Sequence, residues 1–285
     1  MDRLTLPVGP LRFDAVADGP EDGELVLLLH GFPQTSWCWR HQLPALAAAG
    51  YRAVAPDQRG YSPGARPEGV DAYRMDHLVA DVLGMADEIG GHRFHLVGHD
   101  WGAAVAWRVA GRYPDRLRSL SVLSVPHPRA FRRAIDGELG GDQADRSSYM
   151  AFFRSPDAED SFLGGDGDGL RRLFELTALP GLPASADPYL AALGTRPALT
   201  GALNWYRAVE LTDADDMGPV TAPTLYVWSD QDPALGREPA EATAAEVDGP
   251  YRFEVLEGVG HWIPEQAPDR LNEVLLDHLA GADRL

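Results

Sequence analysis

Short runs of apolar residues alternate along the chain with longer stretches in which apolar positions recur at the helical period. Turn residues bound the short runs, and this alternation is typical of a mostly parallel β-sheet covered by α-helices. The pattern therefore predicts an α/β protein whose first two strands form a hairpin. The predicted strands cover residues 4–6, 11–17, 25–29, 52–55, 94–97, 119–124, 224–228 and 251–256, and the predicted helices cover residues 39–48, 75–89, 102–112, 237–245 and 268–279.

The strand pattern stops at about His127 and resumes only after Pro219. Between these residues, glycine and proline break the chain into helical pieces. An unstructured connection of this length would be unusual inside a compact domain. We therefore expect residues 127–219 to form a helical cap over a site, inserted in a core domain made of residues 1–126 and 220–285. The clearest helical pieces of the cap are 147–153, 170–176 and 188–193.

The fifth predicted strand leads directly into Gly98-His99-Asp100-Trp101-Gly102, and a helical segment follows at once. A sharp turn between a strand and a helix is the setting of a nucleophile elbow, which projects its central side chain above the sheet. Glycines on both sides relieve crowding at such a strained turn. The central residue here is Asp100, which the motif predicts to be the nucleophile.

Two other interpretations of these motifs have to be weighed. Aspartate is a favoured helix N-cap, and Asp100 could have only that role. A literal Gly-x-Ser-x-Gly match also occurs around Ser62. There, however, a proline follows the serine and disfavours the α region at Ser62, and no helical segment comes next. Asp100 is therefore the stronger candidate.

An aspartate at the elbow changes which substrates can react. A carboxylate can displace a leaving group from saturated carbon, which gives an alkyl ester on Asp100 that water can then cleave. A serine doing the same would form a stable ether. The residue type therefore indicates an electrophilic sp³ carbon, in an epoxide or a haloalkane, and argues against ordinary esters and amides.

The other parts of a hydrolase site follow other predicted strands. Phe32, after the third strand, and Trp101, after the elbow, could donate backbone N–H groups to an oxyanion, a role worth about 3–4 kcal/mol per donor. Asp230 and Asp232 follow the seventh strand, and His261 follows the eighth. The order nucleophile, acid and histidine is that of the α/β hydrolases, so His261 is the expected base.

These motifs resemble those of the epoxide hydrolases of the α/β-hydrolase superfamily. The resemblance implies an α/β-hydrolase fold with an inserted cap and selects Asp232, which precedes a proline, as the acid. Ser229 departs from it, since a glycine is common there. The resemblance also implies a cis bond between Phe32 and Pro33. It extends over nearly the whole chain and rests on His30-Gly31-Phe32-Pro33, Asp57-Gln58-Arg59-Gly60-Tyr61-Ser62, Gly98-His99-Asp100-Trp101-Gly102 and Gly260-His261-Trp262.

Two cap tyrosines resemble the proton donors of that family. Tyr149 lies in Ser148-Tyr149-Met150-Ala151-Phe152-Phe153, and Tyr206 lies in Leu203-Asn204-Trp205-Tyr206-Arg207. Epoxide opening produces an alkoxide, and a phenol with a pKa of about 10 is acidic enough to protonate it. A cap tyrosine beside other aromatic residues is often only a packing residue. Two tyrosines in matching contexts favour the catalytic role.

Other functions remain as alternatives. A haloalkane dehalogenase would share the nucleophile and the histidine, but that group commonly has an asparagine where Phe32 stands. An esterase or lactonase, or a fold that has become a receptor, are further possibilities. Turnover of varied epoxides would separate them from the expected hydrolysis of an epoxide to a vicinal diol.

Composition and net charge limit the classes of binding partner that we expect. The formal net charge of -18 and the pI near 4.8 would repel phosphate backbones and anionic membrane surfaces, so neither nucleic acid nor a membrane is expected. The expected partners are a small-molecule epoxide and water. A single cysteine, Cys38, and a start that lacks the features of a secretory signal predict a cytoplasmic protein. Oligomeric state cannot be deduced from these features.

No cofactor or metal is implied by local motifs. His92-Arg93-Phe94-His95 precedes and enters a predicted strand, and it has no partner at metal-ligand spacing. The stretch from Gly164 to Gly169 is predicted to be a flexible acidic loop in the cap. It follows no strand, as a phosphate-binding loop would, and it lacks the spacing of a calcium loop.

Overall fold

A computed structural model of the chain describes residues 1–177, 186–209 and 217–284. Eight strands form a single sheet. They are β1 (Asp2–Val8), β2 (Leu11–Asp18), β3 (Leu25–Leu29), β4 (Arg52–Pro56), β5 (Phe94–His99), β6 (Leu117–Leu123), β7 (Thr224–Ser229) and β8 (Tyr251–Leu256).

The strands lie in the order β1-β2-β4-β3-β5-β6-β7-β8. β1 pairs with β2 and β2 with β4 in antiparallel fashion, whereas all pairs from β4 to β8 are parallel. The carboxyl ends of the parallel strands therefore meet at one edge of the sheet, where open α/β sheets bind their ligands. The predicted α/β class, mostly parallel sheet and amino-terminal hairpin are confirmed.

Twelve α-helices are found in the described residues, some against the two faces of the sheet and others in the segment between β6 and β7. They are α1 (Gln42–Ala48), α2 (Met75–Ile89), α3 (Trp101–Arg112), α4 (Pro128–Ile135), α5 (Gln143–Arg146), α6 (Tyr149–Arg154), α7 (Ala158–Thr177), α8 (Asp187–Leu193), α9 (Arg196–Ala208), α10 (Arg237–Ala242), α11 (Ile263–Gln266) and α12 (Pro268–Ala282).

The central strands are buried on both faces, which explains their continuous apolar runs. β3 shows the alternation: Leu27 and Leu29 join the core cluster that includes residues of α2 and α3, whereas Val26 and Leu28 join the cluster that includes residues of α1 and α12. The layers thus sandwich the sheet between helices, and they hold the strand ends in fixed positions.

The segment between β6 and β7 contains α4 to α9 in the described residues, and no strand is found in that described part. The prediction of a flexible loop from Gly164 to Gly169 is wrong, because α7 runs through this stretch. Each glycine in a helix costs about 1 kcal/mol relative to alanine. Burial of Phe162, Leu170 and Phe174 on either side offsets that cost.

None of the helices in the described residues has the length and apolar character needed to span a membrane.

Candidate active site

The predicted site residues of the core lie at the carboxyl ends of four parallel strands. Phe32 follows β3, Asp100 follows β5, Asp232 follows β7 and His261 follows β8. All four are buried, with 2–8% of their surface exposed. The sheet therefore brings together side chains that are distant in sequence.

Asp100 occupies the turn between β5 and α3 with a φ of 51° and a ψ of -120°. A positive φ at a residue other than glycine is uncommon, and it is typical of the strained turn of an elbow. Although Asp100 stands at the N-cap position of α3, its side chain makes no capping hydrogen bond. Its carboxylate is instead turned towards Gly31, where an added Cβ would lie 2.1 Å from Oδ1. A larger residue than glycine would displace the carboxylate.

Backbone N–H groups bind this carboxylate. The Phe32 N–H donates to Asp100 Oδ1 over 2.7 Å, and the Trp101 N–H also hydrogen-bonds to the carboxylate. Both predicted oxyanion donors thus act on the Asp100 carboxylate. The bond between Phe32 and Pro33 is cis, as the resemblance implied.

His261 and Asp232 form a buried pair. His261 Nδ1 lies 2.8 Å from Asp232 Oδ2. The other oxygen of Asp232 accepts N–H groups from Ala234 and Leu235, which fixes the carboxylate. Asp230, the alternative acid, accepts an N–H from the Gly258 backbone instead. The geometry therefore favours Asp232 as the partner of the histidine.

The second nitrogen of the histidine faces Asp100. His261 Nε2 lies 3.6 Å from Asp100 Oδ2, which is too long for a hydrogen bond. Burial by itself would lower the pKa of His261, but the carboxylates of Asp232 and Asp100 outweigh it and raise that pKa to about 10. Burial would likewise raise the pKa of Asp100, yet the interaction with His261 holds it below its ordinary value. The two carboxylates thus favour the imidazolium form of His261.

The two predicted tyrosines approach the same place from the helical segment. Tyr149 begins α6 and is half-buried, and Tyr206 in α9 is buried. The Tyr206 ring packs edge-on against Trp101 and Phe32, with centroids 4.9 and 5.5 Å apart. Burial first and the Asp100 charge second raise the pKa of both phenols above their ordinary value. Both hydroxyls are therefore protonated at neutral pH.

The alternative nucleophile has a structural role. Ser62 is fully buried. Its hydroxyl donates to the Asp57 carbonyl over 2.6 Å and accepts the Asp14 N–H over 2.9 Å. Since its hydroxyl is engaged by the turn after β4 and by β2, Ser62 is not available to attack a substrate.

Two residues beside the site were not singled out from the sequence. His99 Nε2 donates to the backbone carbonyl of His261 over 2.8 Å and so positions the loop that carries the base. Tyr61 is buried with its ring 4.5 Å from that of His30, and its hydroxyl has no hydrogen-bond partner in the described residues. His99 directly precedes Asp100, and Tyr61 directly precedes Ser62, each inside a motif already noted. This position in the motifs was the sequence signal that could have identified both residues.

A family model described as an alpha/beta hydrolase fold matches residues 24–268. The chain belongs to the α/β-hydrolase family. Epoxide hydrolase A of Mycobacterium tuberculosis (strain H37Rv) is 36% identical over an alignment that covers 96% of this chain and 95% of that protein. The AB hydrolase superfamily protein YfhM of Bacillus subtilis (strain 168) is 38% identical over an alignment that covers 94% of this chain and 94% of that protein.

Solved structures agree with these relatives. The crystal structure of epoxide hydrolase A from Mycobacterium thermoresistibile superimposes with a TM-score of 0.85 at 35% identity, covering 98% of each chain. A structure titled as a novel epoxide hydrolase from metagenomes of hot environments gives a TM-score of 0.86 at 31% identity, covering 98% of this chain and 99% of that one. The sequence-based recognition of an epoxide hydrolase of the α/β-hydrolase superfamily is confirmed.

Proposed function

We propose that the protein hydrolyses small-molecule epoxides to vicinal diols through a covalent alkyl ester on Asp100. The main support for this proposal is the environment of the two oxygens of the Asp100 carboxylate. One of its oxygens is bound by the Phe32 N–H at 2.7 Å, while the other faces His261 Nε2 across 3.6 Å without a hydrogen bond. That second oxygen is free to attack carbon. The relatives named epoxide hydrolases support the choice of substrate.

In the first step, Asp100 Oδ2 attacks an epoxide carbon and the carbon–oxygen bond of the ring breaks. The epoxide oxygen takes a proton from Tyr149 or Tyr206, which are protonated at neutral pH and lie on the helices next to the nucleophile. The imidazolium of His261 can supply the proton that restores the phenol. The products are an ester on Asp100 and a neutral imidazole.

In the second step, His261 removes a proton from water, which attacks the ester carbonyl. The resulting oxyanion on Oδ1 is stabilised by the N–H groups of Phe32 and Trp101. The bond between the carbonyl carbon and Oδ2 then breaks, and the diol leaves with Oδ2 and takes up the proton of the new carboxyl group, so that the Asp100 carboxylate and the imidazolium are restored. Esterification of Asp100 removes one of the two carboxylates that raise the pKa of His261. This pKa therefore falls when the ester forms, so the histidine becomes a base only at the stage at which a base is needed.

We further propose that residues 127–219 act as the cap that closes this site over the core of residues 1–126 and 220–285. Phe153 of α6 supports this, since its ring contacts those of Phe32 and Tyr206 with centroids 5.4 and 5.0 Å apart. These apolar contacts would exclude bulk water from the ester.

The cytoplasmic location stays a prediction.

Haloalkane dehalogenation is the main alternative. A departing halide needs side-chain N–H donors, and the Phe32 side chain has none. The Trp101 indole is hydrogen-bonded to the Tyr206 hydroxyl, which assigns it to the tyrosine. An esterase or lactonase would require Asp100 to attack a carbonyl and form an anhydride, a more reactive intermediate than an alkyl ester.

Tracing oxygen through one turnover tests the proposal. With enzyme in excess over styrene oxide in heavy-oxygen water, the label should enter the peptide containing Asp100, and the diol should stay largely unlabelled. His261→Gln should accumulate the ester, and its intact mass should rise by the mass of the epoxide.

Two results would contradict this mechanism. Label in the first-turnover diol, with no adduct on His261→Gln, would mean that water attacks the epoxide directly. Turnover of haloalkanes or esters, with no turnover across aromatic and aliphatic epoxides, would reject the substrate class itself.

A further inference from the structure

Three potential metal ligands converge at the sheet edge opposite the catalytic one. Glu24 directly precedes β3, His95 lies near the start of β5, and Asp283 follows α12. His95 Nε2 lies 3.1 Å from Asp283 Oδ1 and 3.7 Å from Glu24 Oε2. The three ligand atoms all lie within 4.8 Å of one another. The fold therefore assembles a nitrogen and two carboxylate oxygens from distant parts of the chain.

The spacing of these atoms suits a small divalent ion. Ligands at about 2.0–2.2 Å from a tetrahedral zinc ion lie about 3.3–3.6 Å from one another. The two distances from His95 Nε2, 3.1 and 3.7 Å, fall on either side of that range. Small rotations of the two carboxylates, both on partly exposed side chains, would complete three ligand positions. Water could take the fourth.

Each ligand is held through its other polar atom. Ser119, the partner of His95 in the β5–β6 register, has its hydroxyl 2.8 Å from His95 Nδ1. The Tyr51 hydroxyl donates to Asp283 Oδ2 over 2.7 Å, and Arg118 lies 3.0 Å from Glu24 Oε1. Partners on the non-coordinating atoms are the usual outer contacts of metal ligands, because they fix ligand orientation.

His95 supplies independent evidence for a ligand. Its side chain is completely buried, and within the described part of the chain its Nε2 makes no contact with hydrogen-bond geometry, not even with Asp283 Oδ1 at 3.1 Å. A buried ring nitrogen whose hydrogen-bonding capacity is unused is unfavourable. A cation between this nitrogen and the two carboxylates would satisfy all three. Glu24 and Asp283 are 42% and 27% exposed, so an ion from solvent can reach the nitrogen.

We propose that Glu24, His95 and Asp283 form a binding site for a divalent transition-metal ion, with zinc as the ion that fits best. One imidazole and two carboxylates are acceptable zinc ligands. The two carboxylates and the guanidinium of Arg118 leave one net negative charge, which favours a cation. The ion would connect the start of β3 to the end of α12, far from Asp100, and would stabilise the fold without taking part in epoxide hydrolysis.

Metal titration of the full chain tests this site. After chelator treatment and its removal, zinc should bind the wild type at one ion per chain by calorimetry, and cobalt should give the intense visible absorption of a four-coordinate site. Saturating zinc should raise the melting temperature, because the ion binds only the folded chain. Epoxide turnover should not change.

Variants locate the ion. His95→Gln should lose binding and the zinc-dependent rise in melting temperature, whereas His92→Gln, an exposed histidine three positions earlier, should behave like the wild type. Glu24→Gln, at a partly exposed position that does not endanger folding, should weaken zinc binding at least tenfold. The proposal is overturned if the wild type binds no zinc at about millimolar concentration, or if Glu24→Gln and a folded His95→Gln bind it as the wild type does. Loss of zinc binding in His261→Gln, together with inhibition of wild-type turnover by zinc, would likewise overturn it, by placing the ion at the catalytic histidine.

Discussion

At Asp100, the two carboxylate oxygens have different surroundings, and in the proposed mechanism this difference gives one residue two roles. Oδ1 accepts the Phe32 N–H at 2.7 Å, whereas Oδ2 faces His261 Nε2 at 3.6 Å. The Phe32 N–H is already in place at Oδ1, so it would need no rearrangement when negative charge develops there in the proposed tetrahedral intermediate. Oδ2 can react because no hydrogen bond must be broken first.

The tyrosines provide a prediction at this scale. Tyr149→Phe and Tyr206→Phe should each slow alkylation of Asp100 by about tenfold or more, and the double variant by about 10²–10⁴-fold, because a positioned general acid contributes that much. Burial and the Asp100 charge raise the pKa of both phenols, so these effects should be the same from neutral pH to mildly alkaline pH. Rapid-quench single-turnover measurements of ester formation give the rates.

Tyr113→Phe is the matched control, because Tyr113 is 43% exposed on the surface. Its alkylation rate should equal that of the wild type. Equal rates in all four variants, with unchanged melting temperatures, would remove both tyrosines from the mechanism.

Among the elements, the core strands could be predicted from sequence, and the helices between β6 and β7 only in part: the predicted pieces 147–153, 170–176 and 188–193 coincide with α6, part of α7 and α8. β3 and β8 have the predicted limits, and the other strands differ at their ends by a few residues. Buried parallel strands carry short apolar runs with clear boundaries. By contrast, α4 and α9 were not predicted, since their apolar positions depend on contacts with the rest of the fold.

A buried ion pair connects two of these helices. Glu159 of α7, whose side chain is 7% exposed, receives two hydrogen bonds of 2.7 Å from Arg207 of α9. Glu159→Gln should destabilise the protein by about 3 kcal/mol, because it leaves the buried Arg207 charge without its counterion. Urea unfolding of both proteins gives the difference in unfolding free energy.

The pH dependence of this effect has a definite sign. The hydrogen bonds from Arg207 hold the pKa of Glu159 at about 2 in the folded protein, below its value of about 4.3 in an unfolded chain. The stabilisation is therefore complete above about pH 4.3 and is lost as pH falls towards 2. The gap between wild type and Glu159→Gln should narrow over that interval.

Asp160→Asn is the control at the adjacent position. Asp160 pairs with Arg196, and the two side chains are 72% and 57% exposed. Exposed pairs contribute little, so this change should stay within about 0.5 kcal/mol at neutral pH. A comparable loss in both variants would mean that burial of the Glu159 pair is not what matters.

For the whole molecule, the order of the strands decides which sites a sequence can reveal. Asp100, Asp232 and His261 were predictable because each follows a recognisable strand, and parallel strands end at the same edge. Glu24, His95 and Asp283 have no such signal. Their proximity depends on the position of the end of α12 beside β3 and β5, which no local motif encodes.

The net charge is a property of the whole molecule and leads to the last prediction. Forty-three acidic residues against 25 basic ones give a formal charge of -18, and the repulsion among them destabilises the compact state. Salt shortens the range of this repulsion from about 30 Å at 0.01 M to about 8 Å at 0.15 M. It also weakens exposed ion pairs such as Arg112–Asp76, but each of these contributes little. Melting temperature should therefore rise by about 2–4 °C between these sodium chloride concentrations, equivalent to about 1 kcal/mol.

A variant with Glu68, Glu88 and Glu257, all exposed, changed to glutamine should melt higher at low salt and respond less to added salt. Calorimetry at constant pH measures both proteins, with choline chloride in place of sodium chloride to exclude specific binding of sodium. A melting temperature that falls with salt would mean that the ion pairs contribute more than the repulsion removes.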